Sequence, residues 1–151
     1  MQQTFDELVE SAKEELKRAD HSIYVTLKYT RTVDIIKNII KRLISASDIA
    51  ILEALHYLQA KKKIKEIPPA SKKRADVVAS ALPDFKKEIE FYFLLREIEI
   101  APYTKREEYR KNVALVTTVN GKTIVVDNET VRKHFERIVQ FVDKVHGLVL
   151  P

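Results

Sequence analysis

Apolar residues recur at three- and four-residue steps through most of the chain, a spacing that predicts amphipathic helices. The first such stripe consists of Phe5, Leu8, Ala12, Leu16, Ala19, Ile23 and Leu27. It begins beside Thr4-Phe5-Asp6-Glu7, which has the form of a helix capping box. We therefore predict a first helix that starts near Thr4. The β-branched residues of 23–26 leave its far end open, because they lower helix propensity.

A second and longer stripe predicts a helix from about Thr32 to Lys62. Its apolar positions are Val33, Ile36, Ile40, Leu43, Ala50, Ala54 and Leu58. Alanines at every fourth position, Ala46, Ala50 and Ala54, allow a neighbouring helix to approach closely. Two long amphipathic helices with a short connection are expected to pack as an antiparallel pair.

Prolines divide the middle of the chain. Pro68-Pro69 ends the helical pattern, a short helix is expected over 72–82, and another starts near Pro83 and ends before Pro102. Thr104-Lys105-Arg106-Glu107 has the form of a second capping box, which predicts one or two helical turns.

The last third begins with strand-like residues. The runs 113–119 and 122–126 flank Asn120-Gly121, which predicts a β-hairpin with a two-residue turn. A last helix is expected to start at Asp127 or Asn128 and to stop at Gly147. The fold class that follows is all-α in the main. We expect one domain over 1–151, an up-down bundle of four to five helices with a small β-hairpin at about 113–126, before the last helix.

Composition narrows the possible functions. The chain has no cysteine, which excludes disulfides, thiolate metal sites and cysteine nucleophiles. Its two glycines, Gly121 and Gly147, cannot form a glycine-rich phosphate loop. No signal peptide and no apolar run of about 20 residues is visible, so we expect a cytoplasmic protein without a membrane partner. Abundant Lys, Glu and Ile are typical of heat-adapted proteins.

Metal chemistry has one candidate in the sequence. Glu53 and His56 are three residues apart, the spacing that ferritin-like bundles use twice, but no second Glu-x-x-His exists here. We therefore predict no metal and no cofactor, and we interpret His56 as a surface or helix-end residue.

Two basic groups accompany a net charge of +5. The first is a stretch of seven cations against Glu66 alone: Lys61, Lys62, Lys63, Lys65, Lys72, Lys73 and Arg74. It could bind nucleic-acid phosphates, although a solvated helix end is the favoured interpretation. The second group, Lys105, Arg106, Arg110 and Lys111, includes Tyr103 and Tyr109. Because Glu107 and Glu108 lie within it, local ion pairing is favoured there.

Consecutive aromatic residues suggest self-association. Phe91, Tyr92 and Phe93 cannot all face one core, because neighbours on a helix point about 100° apart. We expect at least one of them to be exposed or to form an oligomer contact, most simply in a homodimer.

Two segments carry a resemblance to the HEPN superfamily: Arg106-Glu107-Glu108-Tyr109-Arg110-Lys111-Asn112 and, past the hairpin, Val131-Arg132-Lys133-His134-Phe135-Glu136-Arg137. The order of elements, two long helices, shorter helices and a final helix, is similar as well. The resemblance implies a small helical bundle that forms dimers. Many HEPN proteins are metal-independent ribonucleases, often found beside a small nucleotidyltransferase.

The catalytic signature of that family is an arginine, then four to six residues, then a histidine. Arg110 with Lys111 and Asn112 matches the arginine end, but positions 115–117 are Leu, Val and Thr. The resemblance therefore implies a non-catalytic or diverged member. If a site exists, Arg106, Arg110 and His134 are its candidates, since RNA cleavage without metal needs a base and cationic donors.

Three functions remain open at this point. The first is a non-enzymatic HEPN-like interaction module that contacts RNA or a nucleotidyltransferase partner. The second is a diverged metal-independent ribonuclease or nucleotide-binding protein of the HEPN type. The third is a purely structural helical adaptor.

Overall fold

The chain is mainly α-helical and carries one small antiparallel sheet. The computed structural model describes the backbone of residues 2–150 and the side chains of residues 5–150. In chain order the elements are α1 (Gln2–His21), a π-helical turn (Ser22–Thr26), α2 (Leu27–Tyr29), α3 (Val33–Ala60), α4 (Ser71–Ala81), a 3₁₀ turn (Pro83–Phe85), α5 (Lys86–Ile100), β1 (Tyr103–Arg106), β2 (Ala114–Val119), β3 (Lys122–Val126) and α6 (Asn128–Val149).

Helix α3 is the centre of the fold, because α1, α4, α5, α6 and β2 all contact it. Its start is set by Thr32, whose hydroxyl oxygen accepts a hydrogen bond from the Ile35 amide at 3.4 Å. The predicted stripe is buried along its length, and Ala46, Ala50 and Ala54 are each fully buried. The second predicted helix is confirmed, with its ends one and two residues inside the prediction.

The first helix continues beyond its regular α-helical part. Helix α1 continues through the π-helical turn into α2, so helical backbone reaches Tyr29. Ile23 and Leu27 stay buried across this change of pitch. The predicted cap at Thr4 lies outside the residues whose side chains are described.

The sheet has the order β1-β2-β3, with both pairs antiparallel. The predicted hairpin is confirmed: Asn120 and Gly121 form its turn, with φ of 52° and 78°. The helical turns predicted at 104–107 are wrong, because Thr104 pairs with Val116 in a third strand. The Thr117 hydroxyl donates to the Pro102 carbonyl at 2.7 Å, which fixes the start of that strand beside β2.

The last helix starts as predicted and ends later. The Asp127 carboxylate accepts a hydrogen bond from the Thr130 amide at 2.8 Å and caps α6. The predicted stop at Gly147 is wrong, since α6 continues to Val149. Leu148 and Val149 pack partly buried against the core, and this packing compensates for the weak helix propensity of glycine.

The run of aromatic residues lies mostly inside. Phe91 and Tyr92 are buried, and Phe93 is half-buried. Helix α5 contacts both α3 and β2, so two adjacent side chains find apolar neighbours on different sides. Among the described residues, no helix is long and apolar enough to cross a membrane.

Candidate nucleic-acid interface

Three strongly exposed tyrosines lie on two segments that a backbone hydrogen bond joins. Tyr24, Tyr29 and Tyr109 are 48%, 80% and 77% exposed. Tyr24 and Tyr29 belong to the segment between α1 and α3. Tyr109 follows β1, and its amide donates to the Arg31 carbonyl at 2.6 Å, which joins the two segments. Exposed aromatic side chains of this size leave free faces on which planar groups can stack.

Cations line the same region. Lys28, Arg31 and Arg132 surround a cavity of about 410 Å³ together with Ile23, Tyr24, Asn128 and Glu129. In the described part of the chain, none of these three cations has an ion pair. Glu129 is the acid among these lining residues, and its carboxylate lies 3.4 Å from Lys133 Nζ, which offsets its charge. We call Tyr24, Lys28, Tyr29, Arg31, Tyr109 and Arg132 the basic–tyrosine surface.

The π-helical turn positions the first tyrosine. Residues 23–26 are β-branched or aromatic and have weak α-helix propensity, and the backbone hydrogen bonds there run from i to i+5 in place of i to i+4. Ile23 faces the core, while Tyr24 and Val25 are exposed. Turns of this kind occur frequently at functional sites.

The loop after β1 is fixed by electrostatic contacts. The Val33 amide, at the start of α3, donates to the Glu108 carboxylate at 2.8 Å. Lys105 Nζ lies 3.5 Å from Glu108 and 3.6 Å from Asp34, and these two acids, Asp34 first, raise the pKa of the lysine. Tyr109 adopts a positive φ of 66°. An acid at a helix N-terminus is favourable, so Glu108 holds its neighbour Tyr109 against the 22–32 segment.

The second basic group is divided by the structure. Lys105 forms the local ion pair with Glu108 that the sequence predicted, and a second one, with Asp34, that it did not predict. Arg106, Arg110 and Lys111 are exposed and form no ion pair among the described residues. Arg110 and Lys111 follow Tyr109 directly, so they extend the positive charge of the basic–tyrosine surface.

In the described part of the chain, no hydrogen bond, ion pair or ring contact joins the three candidate catalytic residues to one another. Arg106 lies in β1, and its charge affects Asp127. Burial opposes ionisation of that carboxyl, but the hydrogen bonds it accepts from Thr130 and from its own amide, together with the charge of Arg106, lower its pKa. His134 lies on α6 with its ring 5.0 Å from that of Phe91. Burial, and then the charge of Arg137, lowers the pKa of His134 to about 4, so its imidazole is neutral at pH 7.

The stretch 61–74 has a different character. Lys61, Lys62, Lys63 and Lys65 are exposed after α3, and Lys72 and Lys73 are exposed on the first turn of α4. Arg74 is partly buried, and its Nε donates to the Pro68 carbonyl at 2.6 Å, so it stabilises the connection. The one nearby tyrosine, Tyr57, is half-buried, with Lys61 Nζ 5.8 Å from its ring centre. The stretch therefore offers charge without an exposed stacking side chain.

The candidate metal pair is part of a buried cluster. Glu53 is fully buried, and its Oε2 lies 2.9 Å from His146 Nδ1 on α6. Burial has the largest effect on the pKa of both side chains: it raises the pKa of Glu53 and lowers the pKa of His56. His56 is partly buried against Phe5 and lies near the end of α3, so the interpretation as a surface residue is wrong and its alternative, a helix-end residue, agrees with this position. No three side chains of the described residues are placed to hold a metal ion.

Sequence reasoning missed most of the basic–tyrosine surface. Tyr24, Lys28, Tyr29 and Arg31 bring aromatic and basic residues together within eight positions, a combination typical of surfaces that bind single strands. The apolar stripe that runs to Leu27 predicts a helix with an open far end here, so it does not single out these four residues. Arg132 could not have been added, because it lies a hundred residues further along the chain.

Comparison of the chain with protein-family models, with curated proteins and with solved structures found no match.

Proposed function

We propose that this protein binds single-stranded RNA without cleaving it, through the basic–tyrosine surface. The observation that carries the proposal is the combination of three exposed tyrosines with three cations that have no ion pair among the described residues. Proteins that bind single strands combine a cationic track for phosphates with aromatic side chains for bases.

The same surface favours a single strand over a duplex. Stacking on an aromatic side chain requires an unstacked base, and each such contact contributes about 1–3 kcal/mol. The bases of a duplex are already stacked on one another. The 61–74 stretch, by contrast, offers lysines alone and would attract single and double strands through their phosphates alike.

The proposal includes four expectations from the sequence. They are an up-down bundle of the HEPN type, a cytoplasmic location, a homodimer, and a role as an interaction module beside RNA or a nucleotidyltransferase. With Phe91 and Tyr92 buried, self-association no longer has an argument from these two side chains. Light scattering coupled to size-exclusion chromatography measures the oligomeric state directly.

The decisive experiment compares two variants that lose the same charge. One carries Lys28→Gln, Arg31→Gln and Arg132→Gln, and the other carries Lys61→Gln, Lys62→Gln and Lys63→Gln. Fluorescence anisotropy follows the binding of a labelled 12-nucleotide oligouridine from low to high salt. We expect the first variant to bind at least about tenfold more weakly. The slope of log K against log[salt] should become shallower by about 2, because each lost phosphate contact contributes about 0.7.

Stacking is tested separately from charge. Tyr29→Ala is expected to weaken binding about tenfold, while Tyr29→Phe, which keeps the ring, retains most of it. Equal loss in both triple-charge variants, or a larger loss in the 61–63 variant, would place the RNA on the lysine stretch and refute the proposal. An unlabelled RNA duplex that competes as well as the single strand would refute it too.

A further inference from the structure

A second cavity lies between α3, α4 and α5, away from the residues of the basic–tyrosine surface. Its volume is about 680 Å³, within the range of small-molecule sites. Its apolar lining consists of Ile44, Phe93 and Ile100, and Ile100 is 78% exposed. An isoleucine in that position loses water contact when an apolar group enters the cavity.

One wall of the cavity contains Arg96, whose position is fixed by a hydrogen bond to a residue of the core. Arg96 Nη1 donates to the Tyr92 hydroxyl at 2.8 Å, and that hydroxyl donates to the carboxylate of Asp48. Tyr92 is fully buried, so it cannot move without disturbing the core. Only one guanidinium nitrogen is used in this contact, which leaves the other N–H donors available to a ligand.

A guanidinium fixed in this way suits an oxyanion. Its planar fork matches the geometry of a carboxylate or phosphate, and little side-chain entropy is lost when the ligand binds. Lys41 and Lys72 line the same cavity from α3 and α4, and among the described residues neither has an ion pair. Three cations therefore converge on the space beside an apolar lining.

Three acids restrict what can enter. Asp76, Glu97 and Glu99 also line the cavity. Their carboxylates equal the three cations in number, and Glu99 acts on the charge of Arg96 itself, so the cavity has no excess of positive charge that would attract a polyanion. The same carboxylates can accept hydrogen bonds from hydroxyl or amino groups. The lining thus favours a molecule with one anionic group and an apolar body over a polyanion.

We propose that this cavity binds a small amphipathic anion, whose carboxylate or phosphate pairs with Arg96 and whose apolar body lies against Phe93 and Ile44. The site is separate from RNA binding, since none of its lining residues belongs to the basic–tyrosine surface.

Titrations followed by ¹H–¹⁵N NMR test this with three matched probes. Phenyl phosphate and phenylacetate carry the two anionic groups on a phenyl body, and benzyl alcohol is the uncharged control. We expect at least one anion to bind about tenfold or more tightly than the alcohol, the factor expected for a charge-assisted hydrogen bond. The anion that binds more tightly identifies the class of oxyanion. The shifted amides should include those of Ile44, Phe93 and Ile100.

Variants decide which side chain acts. Arg96→Gln should remove the preference for the anion, and Tyr92→Phe should reduce it by releasing the guanidinium. Lys87→Gln, an exposed cation elsewhere on α5, is the control and should change nothing. Circular dichroism verifies the fold. Should Arg96→Gln unfold, the paired variant Lys41→Gln and Lys72→Gln, both at exposed positions, tests the same cavity.

Three results would overturn the proposal. The first is equal binding of the anions and benzyl alcohol. The second is unchanged anion binding in the variants of Arg96 or of the two lysines. The third is a set of shifts confined to the amides of 22–32 and 107–112, which would assign the anions to the basic–tyrosine surface instead.

Discussion

Replacing His134 with leucine should make the protein less sensitive to acid. In the folded state the ring packs against Phe91, and burial lowers its pKa to about 4. In the unfolded chain the pKa is close to 6.5. Between these two values the unfolded state takes up a proton that the folded state does not. The stability that this residue contributes is therefore fully present above pH 6.5, decreases as the pH falls below that value, and is lost once the pH has fallen through about 4.

The size of the effect follows from the two pKa values. The distance from 6.5 to about 4, at about 1.4 kcal/mol per pH unit, corresponds to about 3 kcal/mol in full. At pH 5 the folded state has lost about 2 kcal/mol of that contribution. Leucine cannot take up a proton, so this loss is absent from the variant, whatever the replacement costs in packing at pH 8.

Urea unfolding followed by circular dichroism at pH 8 and pH 5 measures the difference. The wild type should lose about 2 kcal/mol more than His134→Leu between the two pH values. Other titrating groups are common to both proteins and cancel. His21→Gln, which removes an exposed histidine, is the control and should follow the wild type. Identical pH dependence in the wild type and His134→Leu would refute the burial argument.

Three further substitutions test local features. Asp127→Ala should cost about 1 kcal/mol of unfolding free energy, because α6 loses its N-terminal cap, whereas Asp127→Asn should retain most of it. Gly121→Ala should cost about 1 kcal/mol through its positive φ, since no atom lies within 4 Å of the added carbon. Glu108→Ala should both lower the melting temperature and weaken RNA binding, because the hydrogen bond from the Val33 amide to Glu108 caps α3 and also positions Tyr109. Glu107→Ala removes a neighbouring carboxylate and is the matched control. Thermal melts and anisotropy measure these outcomes, and a Glu108→Ala protein with unchanged RNA affinity would contradict the proposed role of the loop.

The helices were predictable because their signals are local. Val33–Ala60 follows from a periodic stripe and from Thr32, which caps it, and the hairpin follows from Asn120-Gly121. The first strand was not predictable in this way. Thr104 to Arg106 become extended only because β2, ten residues later, offers an open edge to pair with. A capping-box pattern is compatible with both conformations, and the tertiary pairing decides.

Only part of the candidate site could be predicted from the sequence. The alternation of tyrosines and cations over 24–31 can be recognised without a structure. Tyr109 joins it through its amide hydrogen bond to the Arg31 carbonyl and through the Glu108 carboxylate at the start of α3, and Arg132 joins it through the packing of α6. Ion pairing could be predicted for Lys105, but the sequence does not indicate which of its cationic neighbours stay free.

The central position of α3 also determines how the molecule comes apart. Every other long helix packs against it, so no long helix can detach without exposing residues that α3 buries. The amides of α3 should therefore exchange with solvent deuterium only in molecules that have opened globally, whereas those of the sheet edges and the 61–70 connection exchange through smaller openings. A protease that cuts the native protein would find its first cleavable bonds in that connection and leave α3 until last.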